Sequence, residues 1–378
     1  MYHTRTQLRR GSTAYLNALG ADELFNRFAI SRVARVDGLD CIGVPVYTTC
    51  RPAARIVSVN AGKHRIPAGA RAGAIAEGIE FSVFENPGTD GPAVGRIPDL
   101  GYPLADGSTW TPDTAIGLEL VTHLESGTQV RFPSSLVWLT RPKDEPSHFQ
   151  KSSNGQSLGG SCADALLQGL YECIERDQYI LRRCSLDFLG VWPPRANFDD
   201  QLAAAIESAG TGLKLFLFSC ASDISIPVYW AIIMDPSWRA CGGWGCHLNP
   251  SVAAERAVLE AVQSRAVVIA GARDDLERRD PDWHEQMTAI RRMEALPIAH
   301  KVPNWPIEMS AEEELNNVLR RLGPWRERIY YKHIRIDDHL HAVKVQVLGF
   351  EQPVMRHWKP LRWHKLRESF TQAHPCTV

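Results

Sequence analysis

Residues 161–177 read SCADALLQGLYECIERD. Set on a helix, Asp164, Gln168, Glu172 and Glu175 fall within roughly 80° of arc. Ala163, Leu167, Leu170 and Ile174 fall on the opposite side, so one face is acidic and the other packs. An acidic face in solvent usually carries lysines four residues away; here the nearest cation in sequence is Arg176. Taken alone, the stretch is either an amphipathic helix with its acids in water or a set of converging carboxylates for a hard, oxygen-ligated divalent metal.

Two further stretches repeat the pattern. Residues 68–85, AGARAGAIAEGIEFSVFE, predict a helix whose Gly/Ala-rich first half allows close backbone approach; Glu77 and Glu80, three apart, share a face. Residues 250–272 predict a long helix opened by Pro250 and Ser251, with Arg256, Glu260 and Gln263 within about 60° of arc. Brought together, these helices make a cluster of carboxylates with few cations. Such a cluster repels itself unless a cation intervenes. Mg²⁺ would balance it, and Mg²⁺ among carboxylates commonly accompanies a polyphosphate. Arg176, Arg256 and Lys63 would then meet phosphate oxygens. No GxxxxGK[ST] loop occurs, so the residues point to ATP use without a Walker loop.

Around these helices, strands are expected at 44–47, 55–59, 128–139, 213–220, 224–234, 328–336 and 341–350, the last alternating cleanly as HAVKVQVLGF. A turn is expected at 60–64, a tight Gly-rich segment at 242–247, a surface excursion at 86–115, and a polar loop at 142–160. That loop ends in a Gly-rich turn able to present amides to phosphate. Helices are expected at 198–209 and 311–322, and a helix with a connector at 274–310. Residues 1–30 predict a polar helical docking segment, and 351–378 a basic, aromatic tail that is solvated or binds an acidic leader peptide. The fold class is α+β: largely antiparallel sheets packed with helices in one large unit over 31–350, with the nucleotide site between helices.

The chain has 378 residues, 44% hydrophobic and 22% charged, with a formal net charge of −1. This is a globular composition with no field to attract nucleic acid. No apolar run reaches membrane-spanning length, and the basic stretch 1–16, with no apolar core segment, is not expected to act as a signal peptide. The nine cysteines form no CxxC pair, which suggests reduced thiols and a cytoplasmic setting. Cys241-x4-Cys246-His247 is half of a zinc site with no second half.

In order and spacing, several segments resemble the YcaO-domain family across roughly residues 30–350. They are Arg32-Val33-Ala34…Gly38-Leu39-Asp40…Ile42-Gly43-Val44-Pro45-Val46, Gly62-Lys63 before Glu77-x2-Glu80, Ser153-Asn154-Gly155, and Glu172-x2-Glu175-Arg176-Asp177. Gly245-Cys246-His247-Leu248-Asn249-Pro250 and Arg256-x3-Glu260-x2-Gln263-Ser264-Arg265 complete the series. The resemblance implies ATP-dependent modification of a ribosomally made precursor peptide. A nucleophile adds to a backbone amide, ATP phosphorylates the amide oxygen, and phosphate leaves. The product is a thiazoline or oxazoline, a thioamide or an amidine.

By position, the resemblance puts Glu77, Glu80, Asp164, Glu172, Glu175 and Glu260 around Mg–ATP. Glu77, Glu80, Glu172, Glu175 and Glu260 are the metal candidates; Arg176, Arg256, Lys63 and Gln263 are nucleotide contacts. It also implies a homodimer and a partner in trans, either a leader-recognition protein or a TfuA-like protein. The departures are Gly73 for Ser, Phe81 for Arg, Gly160 for Asn, Asp164 for Glu, and an end, His374-Pro375-Cys376-Thr377-Val378, without PxPxP. The last weakens azoline formation against thioamidation. The first three leave a catalytically weakened scaffold subunit as the alternative.

Overall fold

The computed structural model describes residues 10–87, 92–105, 107–140, 148–184, 189–191, 200–209, 212–220, 224–236, 240–272 and 309–351. The expected tail, most of the 274–310 connector and the start of the docking segment lie outside these.

Three antiparallel sheets each back one long helix. β1 (Arg32–Arg35), β2 (Val46–Cys50) and β3 (Val59–Lys63) form the first sheet, and helix α3 (Pro67–Phe84) lies on it. Gly62 on β3 permits the contact: a Cβ there would stand 2.1 Å from Ala74 N and 2.3 Å from Ala70 O. The Gly/Ala half of α3 thus does what its composition suggested.

The second sheet runs β11–β10–β9–β8, from Ala240–Cys246, Val228–Met234, Lys214–Cys220 and Leu189–Val191, and carries α6 (Pro250–Ala270). Asn249 caps α6 by accepting from Ser251 N, and Gly271 ends it in the left-handed region at φ 58°. Gly243 and Gly245 stand against the backbone of α6 as Gly62 does against α3: a Cβ on either would lie 2.1–2.2 Å from it. Helix α5 (Asp200–Glu207) packs on β9.

The third sheet has the order β4–β5–β12–β13–β7, with β6 also on β5. Its strands are Ala93–Gly95, Ile116–His123, Ile329–Arg335, His341–Val347 and Gln156–Gly159, with β6 at Gln129–Pro133. Helix α4 (Cys162–Cys184) lies on β13 and β7, and α7 (Ala311–Leu322), opened by a Ser310/Glu313 capping box, packs on α4. Helices α1 (Arg10–Ala18) and α2 (Ala21–Phe28) pack on α3, and Leu16, Leu24 and Phe28 share a core with Ile75 and Ile79.

The α+β reading with antiparallel sheets holds. Four local readings change. Residues 60–63 of the expected turn belong to strand β3, and residues 242–246 of the tight Gly-rich segment belong to strand β11; Gly62, Gly243 and Gly245 serve helix contact. The strand expected at 55–59 begins only at Val59. The 128–139 segment becomes a short 3₁₀ turn, Ser134–Leu136, after β6. The 86–115 excursion is not all surface: Ile97, Tyr102 and Trp110 are buried with Phe132 and Phe149.

Candidate functional site

Because each sheet presents one helix inward, α3, α4 and α6 meet over a cavity of about 610 Å³, a size suited to a nucleotide-scale ligand. Lys63, Glu77, Glu80, Glu172, Glu175, Arg176, Arg256, Glu260 and Gln263 all line it. Nine of the ten positions singled out in the sequence are thus assembled from four elements. Asp164 is the exception. It sits in the first turn of α4, two helical turns before Glu172, which is roughly 12 Å along the axis. It is buried near Gly160, where a Cβ would lie 2.3 Å from Ser12 Oγ of α1 and 3.7 Å from Asp164 Oδ2. Gly159 and Gly160 do not line the cavity either, so the phosphate-cradle reading of this turn is set aside.

The carboxylates act on one another through their charges, and Glu172 feels both Glu260 and Glu77. Glu80 feels Glu172 and Glu77, and burial with these charges holds it well above the usual carboxylate range. Glu77 is fixed by accepting from Ala61 N at 2.7 Å. Burial raises Glu172 to about 7 despite Arg176 and Lys344. Burial, then Glu260, raises Glu175 to about 8 despite Arg176. Lys63 Nζ is 3.2 Å from Glu260 Oε2, and Arg176 Nε is 3.8 Å from Glu172 Oε1.

Lys344 was not foreseen. On β13 it is buried and donates to the carbonyls of Ser152 and, at 2.8 Å, Asn154. Burial lowers it to about 8, against the pull of Glu172 and Glu80. The one available signal was a lysine inside the buried strand pattern HAVKVQVLGF. Lys344 thus joins the three cations already expected at the cluster, Lys63, Arg176 and Arg256. Five glutamates line the cavity against these four cations, and burial first of all raises Glu172 and Glu175.

A buried relay, also not foreseen, supports Arg256. Tyr171 OH donates to Glu314 Oε1 at 2.7 Å and accepts from Leu248 N; His247 Nε2 lies 2.8 Å from the same carboxylate oxygen. The Tyr171 ring stacks on His247 at 5.0 Å, and the Arg256 guanidinium lies 5.4 Å from its centroid. Arg256 Nη1 donates to Cys246 O, but its buried Nε has no partner. The buried Oε1 of Gln263 has none either. A free guanidinium donor, an unpaired amide oxygen and carboxylates short of positive charge together fit a metal-bound phosphate ligand.

The family model for YcaO cyclodehydratase, ATP- and Mg²⁺-binding, matches residues 61–351. The chain belongs to the YcaO family. An uncharacterised protein in the tfuA 3′ region of Rhizobium leguminosarum bv. trifolii is 32% identical over 281 residues, 67% of this chain and 65% of that protein. The match therefore spans just under two thirds of that relative's length. The YcaO structure from Methanopyrus kandleri bound with AMPPCP and Mg²⁺ superposes with a TM-score of 0.72 at 19% identity, covering 92% of this chain and 95% of that one. A heterocyclase in complex with substrate and cofactor gives 0.70 at 16% identity, covering 93% and 55%. These two likenesses show the fold.

The YcaO domain is one that binds ATP and Mg²⁺, and the donor set described above fits both. Two departures from the family pattern gain a structural setting. At Gly160 a larger residue would meet Ser12. At Phe81 the ring lies 6.0 Å from the guanidinium of Arg51, which is locked to Glu85 at 2.9 Å. Gly73 has open room, its nearest neighbour to a Cβ being Gly62 Cα at 3.5 Å. Among the described residues no helix is long and apolar enough to cross a membrane.

Proposed function

We propose that this chain is an ATP-dependent peptide-modifying enzyme that activates a backbone amide of a ribosomally made precursor. The observation that carries this is the convergence of Glu77, Glu80, Glu172, Glu175 and Glu260 with Lys63, Arg176 and Arg256 on one cavity. The five glutamates would hold Mg²⁺, which offsets charge developing at the phosphates. Arg176, Arg256 and Lys63 would bind phosphate oxygens, and Gln263 Oε1 would accept from the nucleotide. Asp164 is left out of this set.

A nucleophile adds to the amide carbon, and the resulting oxyanion takes the γ-phosphoryl group of ATP, releasing ADP. Inorganic phosphate then departs with the former amide oxygen. Of the products, the reading favours the thioamide, with sulfide as donor and a TfuA-like protein as partner: the Rhizobium relative is named for its place beside tfuA. Azoline formation is the second product reading. A cytoplasmic homodimer remains the working assembly, with residues 1–30, 31–350 and 351–378 as docking segment, catalytic unit and tail.

The test is to incubate the full chain, a TfuA-like partner, a precursor peptide, sulfide and Mg–ATP. Phosphate release with a gain of about 16 Da supports O-to-S exchange, and a loss of about 18 Da supports azoline formation. Unaltered peptide mass with cognate partners, together with no ATP binding in calorimetry, rejects the enzyme reading in favour of a scaffold.

A further inference from the structure

Gln156 on β7 is 2% exposed and lines the cavity, yet among the described residues neither its Nε2 nor its Oε1 has a hydrogen-bond partner. A buried carboxamide with both halves unsatisfied is costly to keep and calls for an explanation. We propose that Gln156 holds the substrate peptide by the backbone N–H and C=O of one extended residue beside the amide that reacts. This rests on the peptide-modifying reading above and names the residue that would deliver its substrate.

The chemistry matches. A carboxamide offers one donor and one acceptor side by side, and in an extended chain the N–H and C=O of a single residue point to the same side. The location matches too. Gln156 pairs across the sheet with Lys344, on the Glu80/Glu172 side of the cluster. The wall there is Leu139, Leu158 and Phe81, with Ser152 and Ser153, a mixture suited to a peptide. The donors for a nucleotide, Lys63, Arg176 and Arg256, and the free oxygen of Gln263 come from β3, α4 and α6 instead. An adenine edge offers a similar donor–acceptor pair, so it is the competing occupant.

The probe is N-acetylglycine N-methylamide, the smallest molecule carrying one such residue. Its binding to the full chain is followed by saturation-transfer NMR with Mg²⁺ and a non-hydrolysable ATP analogue present. In Gln156→Leu and Gln156→Met, the probe signal should fall at least fivefold while analogue affinity stays within twofold. Because an unpaired polar group is removed, Tm should hold or rise by about 1–2 °C. A fivefold loss of analogue affinity with the probe retained would assign Gln156 to the base. A Tm drop of several degrees in both variants would make it structural. No probe signal with the unaltered chain would also overturn the proposal. No turnover is needed, so the result stands apart from whether a precursor is modified.

Discussion

Lys63 Nζ lies 3.2 Å from Glu260 Oε2, joining β3 to α6 across 197 residues of chain. Both side chains line the cavity and are largely shielded, at 10% and 24% exposure. The pair bridges two walls of the site, and on the proposed reading each member would turn to a ligand on binding Mg–ATP. Glu260→Gln should lower ATP turnover by about 100-fold, and Lys63→Met should raise the KM for ATP by about tenfold. The double variant should lose less than the product of the two, because the residues share one interaction. Phosphate-release kinetics check all three.

The raised glutamates make binding pH-dependent. Glu172 at about 7 and Glu175 at about 8 are protonated in the folded chain at pH values where the unfolded chain has released those protons. Their contribution to stability is therefore complete below the ordinary carboxylate range and is lost as pH rises through 7 to 8. A divalent cation needs the ionised forms, so its affinity rises over the same window. Without ligand, Tm should fall between pH 6 and 8.5. With Mg²⁺ and an ATP analogue the fall should flatten, and calorimetry in buffers of different ionisation enthalpy should show proton release. A ligand-free Tm that is level across this range would count against the cluster.

Ser12 and Gly160 interlock, since a Cβ on Gly160 would come within 2.3 Å of Ser12 Oγ. Gly160→Ala should cost about 1–3 kcal/mol, and Ser12→Gly in the same chain should return part of it. Because Gly160 does not line the cavity, the KM for ATP should move less than twofold. Thermal denaturation and steady-state kinetics separate the two effects.

Glu314 anchors the relay behind Arg256. Burial pushes its carboxyl up, but the hydrogen bonds and charge of His247 and the Tyr171 hydroxyl outweigh this and hold it at about 2. A depressed acid contributes stability above the ordinary carboxylate range and loses it as pH falls towards its folded value. Glu314→Gln should destabilise by about 3 kcal/mol near neutral pH. In urea titrations the gap to the unaltered chain should narrow as pH falls from 5 to 3. With the support under Tyr171 loosened, the KM for ATP should rise while basal folding persists at neutral pH.

Lys344 holds the turn before Gln156 through the Ser152 and Asn154 carbonyls and feels the charges of Glu172 and Glu80. Lys344→Met would leave those carbonyls unpaired and push both glutamates further up. Mg²⁺-dependent binding of the ATP analogue should weaken by at least tenfold, with its pH midpoint displaced upward, as followed by calorimetry across pH.

Helical periodicity makes the acids of α3, α4 and α6 legible in the sequence, because side-chain direction on a helix follows from spacing alone. The order of short segments from Arg32 to Arg265 discloses the family for the same local reason. Residues 60–64 have the composition of a turn and 242–247 form a tight Gly-rich segment, yet Gly62, Gly243 and Gly245 stand in strands. They are glycines because a helix lies against them, and that demand comes from another part of the fold. Asp164 has the right spacing for the acidic face, but it sits in the first turn of α4 and does not line the cavity.

By itself the sequence determined which side chains share a helix face and which family the chain resembles. Only the tertiary structure decided which of those faces meet, how many cations stand among them, and that Gln156 is left with nothing to bond. Spacing sets direction, whereas burial, charge balance and hydrogen-bond satisfaction depend on partners more than a hundred residues away.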